Sequence, residues 1–125
     1  MESLFIKLAK HPVIETERLV LRPVTLDDAE AMFEYASDKE NTRYTFPTNQ
    51  SLEETKNNIA HFYLGNPLGR WGIELKNSGE FIGTIDLHKM DTVLKKAAIG
   101  YIIHKKYWNQ GLTTEANRAV IELAF

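Results

Sequence analysis

Apolar residues alternate with polar ones near the start of the chain and then recur with a helical period. The run Arg18-Leu-Val-Leu-Arg-Pro-Val24 alternates and is rich in branched side chains, which predicts a strand, and Pro23 indicates that it ends at a sheet edge or a bulge. Residues before about Glu17 follow neither period, so a short helix and a disordered arm both remain open. Apolar residues at positions 29, 32, 33 and 36 then predict a helix, and Thr25 with Asp28 resembles a capping box at its start.

A second helix is predicted after a loop. Residues 37–50 are rich in Asp, Asn, Pro and Thr, and this composition predicts the loop. Ser51 and Glu54 have capping-box spacing, and residues 55, 59, 62 and 63 share one helical face. Gly65-Asn-Pro67 is predicted to end the helix.

Three strands follow, because the period returns to two. Trp71, Ile73 and Leu75 alternate with their neighbours, and Asn77-Ser-Gly79 has the composition of a hairpin turn. Further strands are predicted over residues 81–88 and 97–103, joined by a polar link at 90–96. After Gly111 a helical face is formed by Leu112, Ala116, Ala119, Val120 and Leu123. The order β-α-α-β-β-β-α predicts a mixed α/β fold with a mainly antiparallel sheet and flanking helices.

The amino-acid composition argues against a nucleic-acid-binding protein, a cysteine-dependent enzyme and a membrane-spanning protein. A chain of 125 residues supports one domain, and its formal net charge of −2 gives no basic footprint, so no nucleic-acid partner is predicted. Cysteine is absent, which excludes disulfides, thiolate catalysis and cysteine metal sites. The apolar run at the N-terminus is broken by Lys7 and Lys10, and no stretch approaches the roughly 20 apolar residues of a membrane span. We therefore predict a cytoplasmic protein with no membrane association.

The segment from Ala97 to Phe125 carries the clearest candidate chemistry. A strand leads through a short polar loop into a helix, whose first turn leaves N–H groups unpaired and carries partial positive charge. Such a helix start can bind a phosphate, and Gly111 would let the phosphate approach the backbone. Threonines 113 and 114 could add hydroxyl donors, and lysines 105 and 106 could add charge at the rim. On these grounds alone an ordinary turn is the commoner explanation, and neither the dinucleotide fingerprint nor the Walker loop is present.

Three segments of the chain resemble one enzyme family. Trp108-Asn-Gln-Gly-Leu-Thr113 resembles the coenzyme A signature Q/R-x-x-G-x-G/A of the GCN5-related N-acetyltransferase (GNAT) superfamily, with Trp in place of Gln or Arg and Thr in place of Gly or Ala. The longer run Tyr107–Ala116 is most similar to the branch of the ribosomal-protein N-terminal acetyltransferases. Residues 15–23, followed by Asp28-Ala-Glu30, and the run Phe81–Ile85 resemble the same branch in the same order.

The resemblance implies a GNAT fold and a reaction. It implies direct transfer of the acetyl group of acetyl-CoA to a primary amine, with a protein N-terminal amine as one candidate, and with no metal and no covalent enzyme intermediate. The residues expected at the pantetheine arm are Tyr101, Ile102 and Ile103. Those expected at the pyrophosphate are Asn109, Gln110, Gly111, Leu112, Thr113 and Thr114. The acceptor would be an amine-bearing small molecule or a peptide N-terminus.

The residue that takes the proton of the amine is left open. Candidates on or beside the central strands are Glu74, Asp86, His88 and His104. Glu74 is out of phase with Trp71 and is expected on the opposite face, whereas Asp86 and His88 are expected to share a face with Ile82 and Thr84. A lone carboxylate on a strand is more commonly solvated or paired. Tyr44, Phe46 and Trp71 could wall an acceptor site, and Arg43 and Arg70 are either surface charges or attractors for an acidic acceptor.

The family domain continues with another strand, a helix and two closing strands. We therefore predict an N-terminal arm over residues 1–13 and the N-terminal part of an N-acetyltransferase domain over residues 14–125. Three explanations stay open: a truncated chain whose core is completed by homodimerisation, a fragment of a longer protein, and a compact complete variant. An exposed strand at 98–103 would favour pairing with a second chain. The alternative function is a catalytically impaired module that dimerises or only binds coenzyme A.

Overall fold

Five strands form one antiparallel sheet in which every strand lies beside its neighbours in sequence. The computed structural model describes residues 3–43, 45–91 and 96–124. The strands are β1 (Ile14–Glu15), β2 (Leu19–Arg22), β3 (Arg70–Leu75), β4 (Phe81–Asp91) and β5 (Lys96–Ile103). The α-helices are α1 (Leu4–Lys10), α2 (Ala29–Ala36), α3 (Lys39–Thr42), α4 (Leu52–Asn58) and α5 (Leu112–Ala124). The predicted mixed α/β fold with a mainly antiparallel sheet is confirmed.

The sheet separates two apolar cores. Helices α1 and α5 cover one face, and the buried residues there include Leu8, Leu21, Trp71, Ile73, Ile85, Leu87, Leu112, Ala116 and Val120. Helix α2 and the π-helical turn Ile59–Leu64 that follows α4 cover the other face, with Val24, Ala29, Met32, Tyr35, Ala36, Ile59, Phe81 and Ile102 buried there. The apolar faces predicted for α2, α5 and β3 are therefore the faces that pack in the two cores, as binary patterning requires.

Two predicted boundaries differ from the observed ones, and one of the two alternatives left open for the leader is confirmed. The loop predicted over 37–50 contains α3, whose start is capped by the side chain of Asp38. The polar link predicted at 90–96 is shorter, because β4 runs to Asp91 and β5 starts at Lys96, while residues 92–95 lie outside the described residues. The leader forms α1, and Leu8 is buried in the core against α5. Within residues 3–43, 45–91 and 96–124, no helix has the length and apolar composition needed to cross a bilayer.

A β-bulge corrects the predicted faces of β4. Ile73 pairs with Gly83 but Glu74 pairs with Phe81, so Ile82 is an extra residue on β4. Ile82 consequently lies in the same core as Ile85. The expectation that Ile82 shares a face with Asp86 and His88 was wrong, because strict alternation fails across a bulge.

A network around Arg22 joins β2 and β3 to the turn before α2. The guanidinium donates two hydrogen bonds to Asp28, from Nη1 and Nη2, each 2.9 Å long. Its Nε donates to Glu74 at 2.9 Å. The carboxylate of Asp28 also accepts the backbone N–H of Thr25, which completes the predicted capping box. One cation thus pairs with two carboxylates from different elements.

The carboxylate of Glu115 ties α5 to the start of β2. Arg18 donates to it from its backbone N–H at 2.8 Å and from Nε at 2.7 Å, and the hydroxyl of Thr16 donates as well. Burial disfavours the charged carboxylate, but these hydrogen bonds outweigh burial and hold the pKa of Glu115 below its usual range. Arg18 Nη1 also donates to the carbonyl of Gln110 at 3.0 Å, so the same side chain fixes the loop before α5.

Replacing Arg22 by Met should destabilise the fold. The change leaves the carboxylates of Asp28 and Glu74 without their shared donor, so we expect the free energy of unfolding to fall by about 1–3 kcal/mol. Urea denaturation followed by circular dichroism measures this. The matched control is Arg118→Met on the exposed side of α5, which we expect to change stability by no more than about 0.5 kcal/mol. Equal losses in the two variants would contradict the role of the network.

Replacing Glu115 by Gln should remove a pH-dependent part of stability. A carboxylate whose folded-state pKa is lowered stabilises the fold above its unfolded pKa of about 4.3, and this contribution is lost as the pH falls through the lower folded value. The stability difference between the wild type and Glu115→Gln should therefore be largest near neutral pH and should shrink below about pH 4.3. Denaturation series at several pH values test this. Glu122→Gln, two turns further along α5, is the control.

Candidate active site

A cleft lies where the end of β5 meets the start of α5. Its volume is about 410 Å³, and it is lined by Tyr101, Ile103, Tyr107, Trp108, Asn109, Gln110, Gly111, Leu112, Thr113 and Thr114. Eight of the nine residues predicted for coenzyme binding therefore lie around one cleft. Ile102 is the exception, because it is buried on the opposite face of the sheet in the α2 core.

The loop of the cleft owes its shape to two left-handed residues. Asn109 has a φ of +63° and Gly111 a φ of +77°. The first helical hydrogen bond of α5 runs from the N–H of Glu115 to the carbonyl of Gly111, at 3.0 Å. The N–H groups of Leu112, Thr113 and Thr114 therefore precede the helical ladder and lack a carbonyl partner within the helix. These donors and the positive end of the helix dipole suit a phosphate group.

Lysines 105 and 106 do not supply charge to the rim of this cleft, which corrects the sequence-based expectation. Lys105 Nζ lies 2.8 Å from Asp38 and 3.2 Å from Glu40, and Asp38 raises the pKa of Lys105. Lys106 Nζ lies 2.9 Å from Glu80. Both ammonium groups are held by acidic residues from other elements. The cation nearest to Gly111 is instead Arg18, since a Cβ on Gly111 would lie 3.5 Å from Arg18 Nη2.

The end of β5 is held by two side chains that converge on one carbonyl. The carbonyl of Ile103 accepts a hydrogen bond from Asn41 Nδ2 at 2.9 Å and another from Trp108 Nε1 at 2.8 Å. Asn41 Oδ1 in turn accepts the backbone N–H of Lys105 at 2.7 Å. Asn41 was missed by the sequence analysis because it lies in the stretch predicted as loop, where no periodicity indicates a buried position.

A second cavity lies on the other face of β5. Its volume is about 280 Å³, and it is lined by Thr45, Phe46, Tyr63, Thr84, Asp86, Gly100, Tyr101 and Ile102. Asp86 is the charged member of this lining. Tyr101 lines both this cavity and the cleft at α5, so the two cavities share one wall residue on β5. Burial raises the pKa of Tyr63, which therefore stays protonated at neutral pH and can donate a hydrogen bond.

Two of the predicted catalytic residues form a pair beside this cavity. His88 Nδ1 lies 3.0 Å from Asp86 Oδ2, and both side chains are partly exposed. Gly100 faces Asp86 across the β4–β5 ladder. A Cβ on Gly100 would lie 2.8 Å from Asp86 Oδ1 and 3.3 Å from the ring of His88, so any larger residue would displace the pair. No sequence pattern indicated this role of Gly100.

The other candidates are engaged elsewhere. Glu74 lies on the face opposite Trp71, as expected, but its carboxylate is paired with Arg22. His104 Nε2 lies 2.9 Å from Glu34 Oε1. Trp71 is buried in the α5-side core and does not wall the cavity, whereas Phe46 does. Arg70 is half-buried on β3, Arg43 is exposed, and Tyr44 lies outside the described residues.

Comparisons with known proteins agree on one family. Residues 18–125 match the model of the acetyltransferase (GNAT) domain. The uncharacterized N-acetyltransferase YoaA of Bacillus subtilis is 38% identical over 118 residues, which cover 91% of this chain and 67% of YoaA. YdaF of the same species, named provisionally as a ribosomal N-acetyltransferase, is 45% identical over 56 residues, which cover 43% of this chain and 31% of YdaF.

Solved structures give the same answer. The GNAT-family acetyltransferase of Bacillus anthracis superposes with a TM-score of 0.79 at 27% identity, and the match covers 90% of this chain and 66% of that one. The chain thus spans about two thirds of the length of the relatives that match it along nearly all of its length. Its relatives are N-acetyltransferases, its sheet has their topology, and its cleft is built from the segment that resembles the coenzyme A signature: the chain belongs to the GNAT acetyltransferase family.

Proposed function

We propose that this chain carries the acetyl-CoA site and part of the acceptor site of an N-acetyltransferase that acts on a primary amine. The single observation that carries the proposal is the meeting of two different cavities at Tyr101. One cavity offers backbone N–H donors at a helix start, which suit the donor substrate. The other offers a carboxylate among aromatic and hydroxyl side chains, which suits an organic ammonium.

The donor substrate would lie along the free edge of β5 and across the start of α5. Among the described strands, β5 has β4 as its one hydrogen-bonded neighbour. Because the N–H of His104 donates to Ile82 on β4, alternation directs the backbone N–H of Ile103 toward the free edge. We propose that this edge binds the pantetheine arm and that Leu112, Thr113 and Thr114 bind the pyrophosphate through their N–H groups.

The reaction we propose needs a proton acceptor but no covalent enzyme intermediate. The nitrogen of the neutral amine attacks the thioester carbonyl, a C–N bond forms, and the C–S bond breaks. The nitrogen loses a proton as the amide forms, and the departing thiolate takes up a proton and leaves as the thiol. A backbone N–H at the edge of β5 would stabilise the negative charge on the carbonyl oxygen. The proton of the ammonium must first leave, and the Asp86–His88 pair is the group we assign to accept it.

We assign this role to the Asp86–His88 pair in preference to Glu74. The carboxylate of Glu74 accepts a hydrogen bond from Arg22 at 2.9 Å, so it is occupied by that side chain. Asp86 lines the cavity, and its partner His88 has a second ring nitrogen that Asp86 does not use. Carboxylate and imidazole side by side can bind an ammonium and take up its proton.

A peptide N-terminus is the first acceptor to test. The relative YdaF, to which 43% of this chain is 45% identical, carries a ribosomal N-acetyltransferase name. Small amines are the second class, because a cavity of about 280 Å³ can hold the end of an alkylamine as readily as the first residue of a peptide.

A second candidate function follows from the free edge of β5. A strand with one neighbour can pair with a second chain, so a homodimer that binds coenzyme A without turnover is the alternative. Acetyl-CoA binding without thiol release from any acceptor, together with a dimer in analytical ultracentrifugation, would favour this alternative. Thiol release that depends on an added amine would favour the enzyme.

Replacing Gly111 by Ala should weaken acetyl-CoA binding. A Cβ is disfavoured at a φ of +77°, so the loop must shift and redirect the N–H groups of the first turn. We expect the Kd for acetyl-CoA, measured by isothermal titration calorimetry, to rise about 10-fold or more. Gly79→Ala is the matched control, because Gly79 has a φ of +74° in the β3–β4 turn with open space around it. Gly79→Ala should lose similar stability and keep the wild-type Kd.

Replacing Asp86 by Asn should lower turnover without weakening acetyl-CoA binding. Removing the charge of the proposed proton-accepting pair should reduce kcat about 100-fold, measured as thiol release with peptides that have free N-termini. Glu74→Gln is the comparison variant and should keep kcat per folded molecule, even if it unfolds more readily. The opposite pattern, with Glu74→Gln inactive and Asp86→Asn active, would move the proton acceptor to Glu74.

A further inference from the structure

Asn41 touches neither cavity by itself, yet it lies between the elements that form them. Its side chain is 5% exposed and projects from α3 to the end of β5. We propose that Asn41 is a positioning residue that holds the coenzyme cleft in a fixed relation to the acceptor cavity. The proposal rests on the donor and acceptor sites proposed above.

The amide of Asn41 makes two different hydrogen bonds to one stretch of backbone. Its Nδ2 donates to the carbonyl of Ile103, and its Oδ1 accepts the N–H of Lys105, at 2.9 and 2.7 Å. A side-chain amide carries a donor and an acceptor side by side, whereas an ionised carboxylate offers acceptors alone. The two bonds fix the peptide groups on both sides of His104, where the chain leaves β5 and enters the loop.

The position of this backbone determines the shape of the coenzyme cleft. The carbonyl of Ile103 also accepts the indole N–H of Trp108, which lies in the loop that leads to Gly111. Ile103 and Trp108 both line the cleft. A displacement of the Ile103 carbonyl would therefore move the loop, because the indole of Trp108 is bonded to it. It would also move the edge of β5, because the carbonyl belongs to that strand.

The same helix that carries Asn41 leads directly to the acceptor cavity. Helix α3 ends at Thr42, and Thr45 and Phe46 line the cavity three and four residues later. The ion pairs of Lys105 with Asp38 and Glu40 also join α3 to the loop, but they are exposed and contribute little. The amide of Asn41 is thus a buried connection between α3, which precedes Thr45 and Phe46, and the end of β5.

Two substitutions of Asn41 distinguish the contribution of its bond to Ile103 from that of its bond to Lys105. Asn41→Ala removes both. Asn41→Asp keeps the acceptor for the N–H of Lys105 but replaces the donor to Ile103 with a carboxylate oxygen, which the carbonyl repels. If the contact with Ile103 positions the cleft, both variants should weaken acetyl-CoA binding. Asn49→Ala is the matched control, because Asn49 is equally buried and accepts a hydrogen bond from Thr55, on α4, with no bond to β5 or the loop in the described residues.

The experiment measures binding, local environment and stability on the full chain. Calorimetry with acetyl-CoA gives the Kd, and thermal unfolding gives the Tm. Fluorotryptophan labelling gives one ¹⁹F signal for each of the two tryptophans, assigned with Trp108→Phe. We expect Asn41→Ala and Asn41→Asp to raise the Kd about 10-fold and to shift the Trp108 signal in the ligand-free protein. Asn49→Ala should lower the Tm but change the Kd less than about twofold.

A second label tests the connection between the two cavities. Fluorophenylalanine at Phe46, assigned with Phe46→Leu, should shift when acetyl-CoA binds to the wild type. The shift should be lost in Asn41→Ala at a concentration that saturates the variant. An equal Phe46 shift in Asn41→Ala would overturn the proposal, because the connection would then run through other contacts.

Three other results have defined meanings. Wild-type Kd and an unchanged Trp108 signal in both Asn41 variants would overturn the proposal. An equal loss of affinity in Asn49→Ala would also overturn it, because general destabilisation would then explain the effect. A wild-type chain that does not bind acetyl-CoA would contradict the proposed function, and the Trp108 signal of the ligand-free variants would then decide the role of Asn41 alone.

Discussion

The carboxylate of Glu115 is the contact on which the geometry of the proposed coenzyme cleft depends. It accepts hydrogen bonds from the backbone N–H and the guanidinium of Arg18 and from the hydroxyl of Thr16. These bonds join the β1–β2 hairpin to the first turn of α5. Arg18 also holds the carbonyl of Gln110, and with it the loop that ends at Gly111. A negative charge in the first turn would otherwise oppose an incoming phosphate, but the guanidinium neutralises it. The contacts of Arg18 with Glu115 and Gln110 therefore hold the first turn of α5, and with it the N–H groups of that turn, in place.

The sequence predicted those features that depend on periodicity. Helices α2 and α5 and strands β2 to β5 each carry a clear apolar pattern, and eight residues of the coenzyme cleft follow from the family signature. Features set by contacts between distant residues could not be predicted. The bulge at Ile82 depends on the pairing of β4 with β3, and the partners of Lys105 come from α3. The role of Asn41 could not be predicted either, because the hydrogen-bond partners of its amide come from the end of β5, more than 60 residues away in sequence.

Strand β5 separates the two halves of the proposed chemistry. Ile103 and the loop to α5 lie on one side, whereas Asp86, Gly100 and Phe46 line the cavity on the other. An amine and a thioester brought to opposite sides of one strand can meet only around its free edge, at Tyr101. In the proposed reaction, the position of the end of β5 would therefore affect the placement of both substrates.

The strand order has a consequence for the way the chain is made. Because each strand pairs with the one before it, the sheet can grow in step with synthesis, from the N-terminus onward. The bond between Arg18 and Glu115 spans 97 positions, and α1 must wait for α5 before its own apolar side is covered. Closing a loop of this length carries a large entropic cost. The five described strands can therefore pair before the cleft exists, and the apolar face that α5 covers stays exposed until that helix has been made.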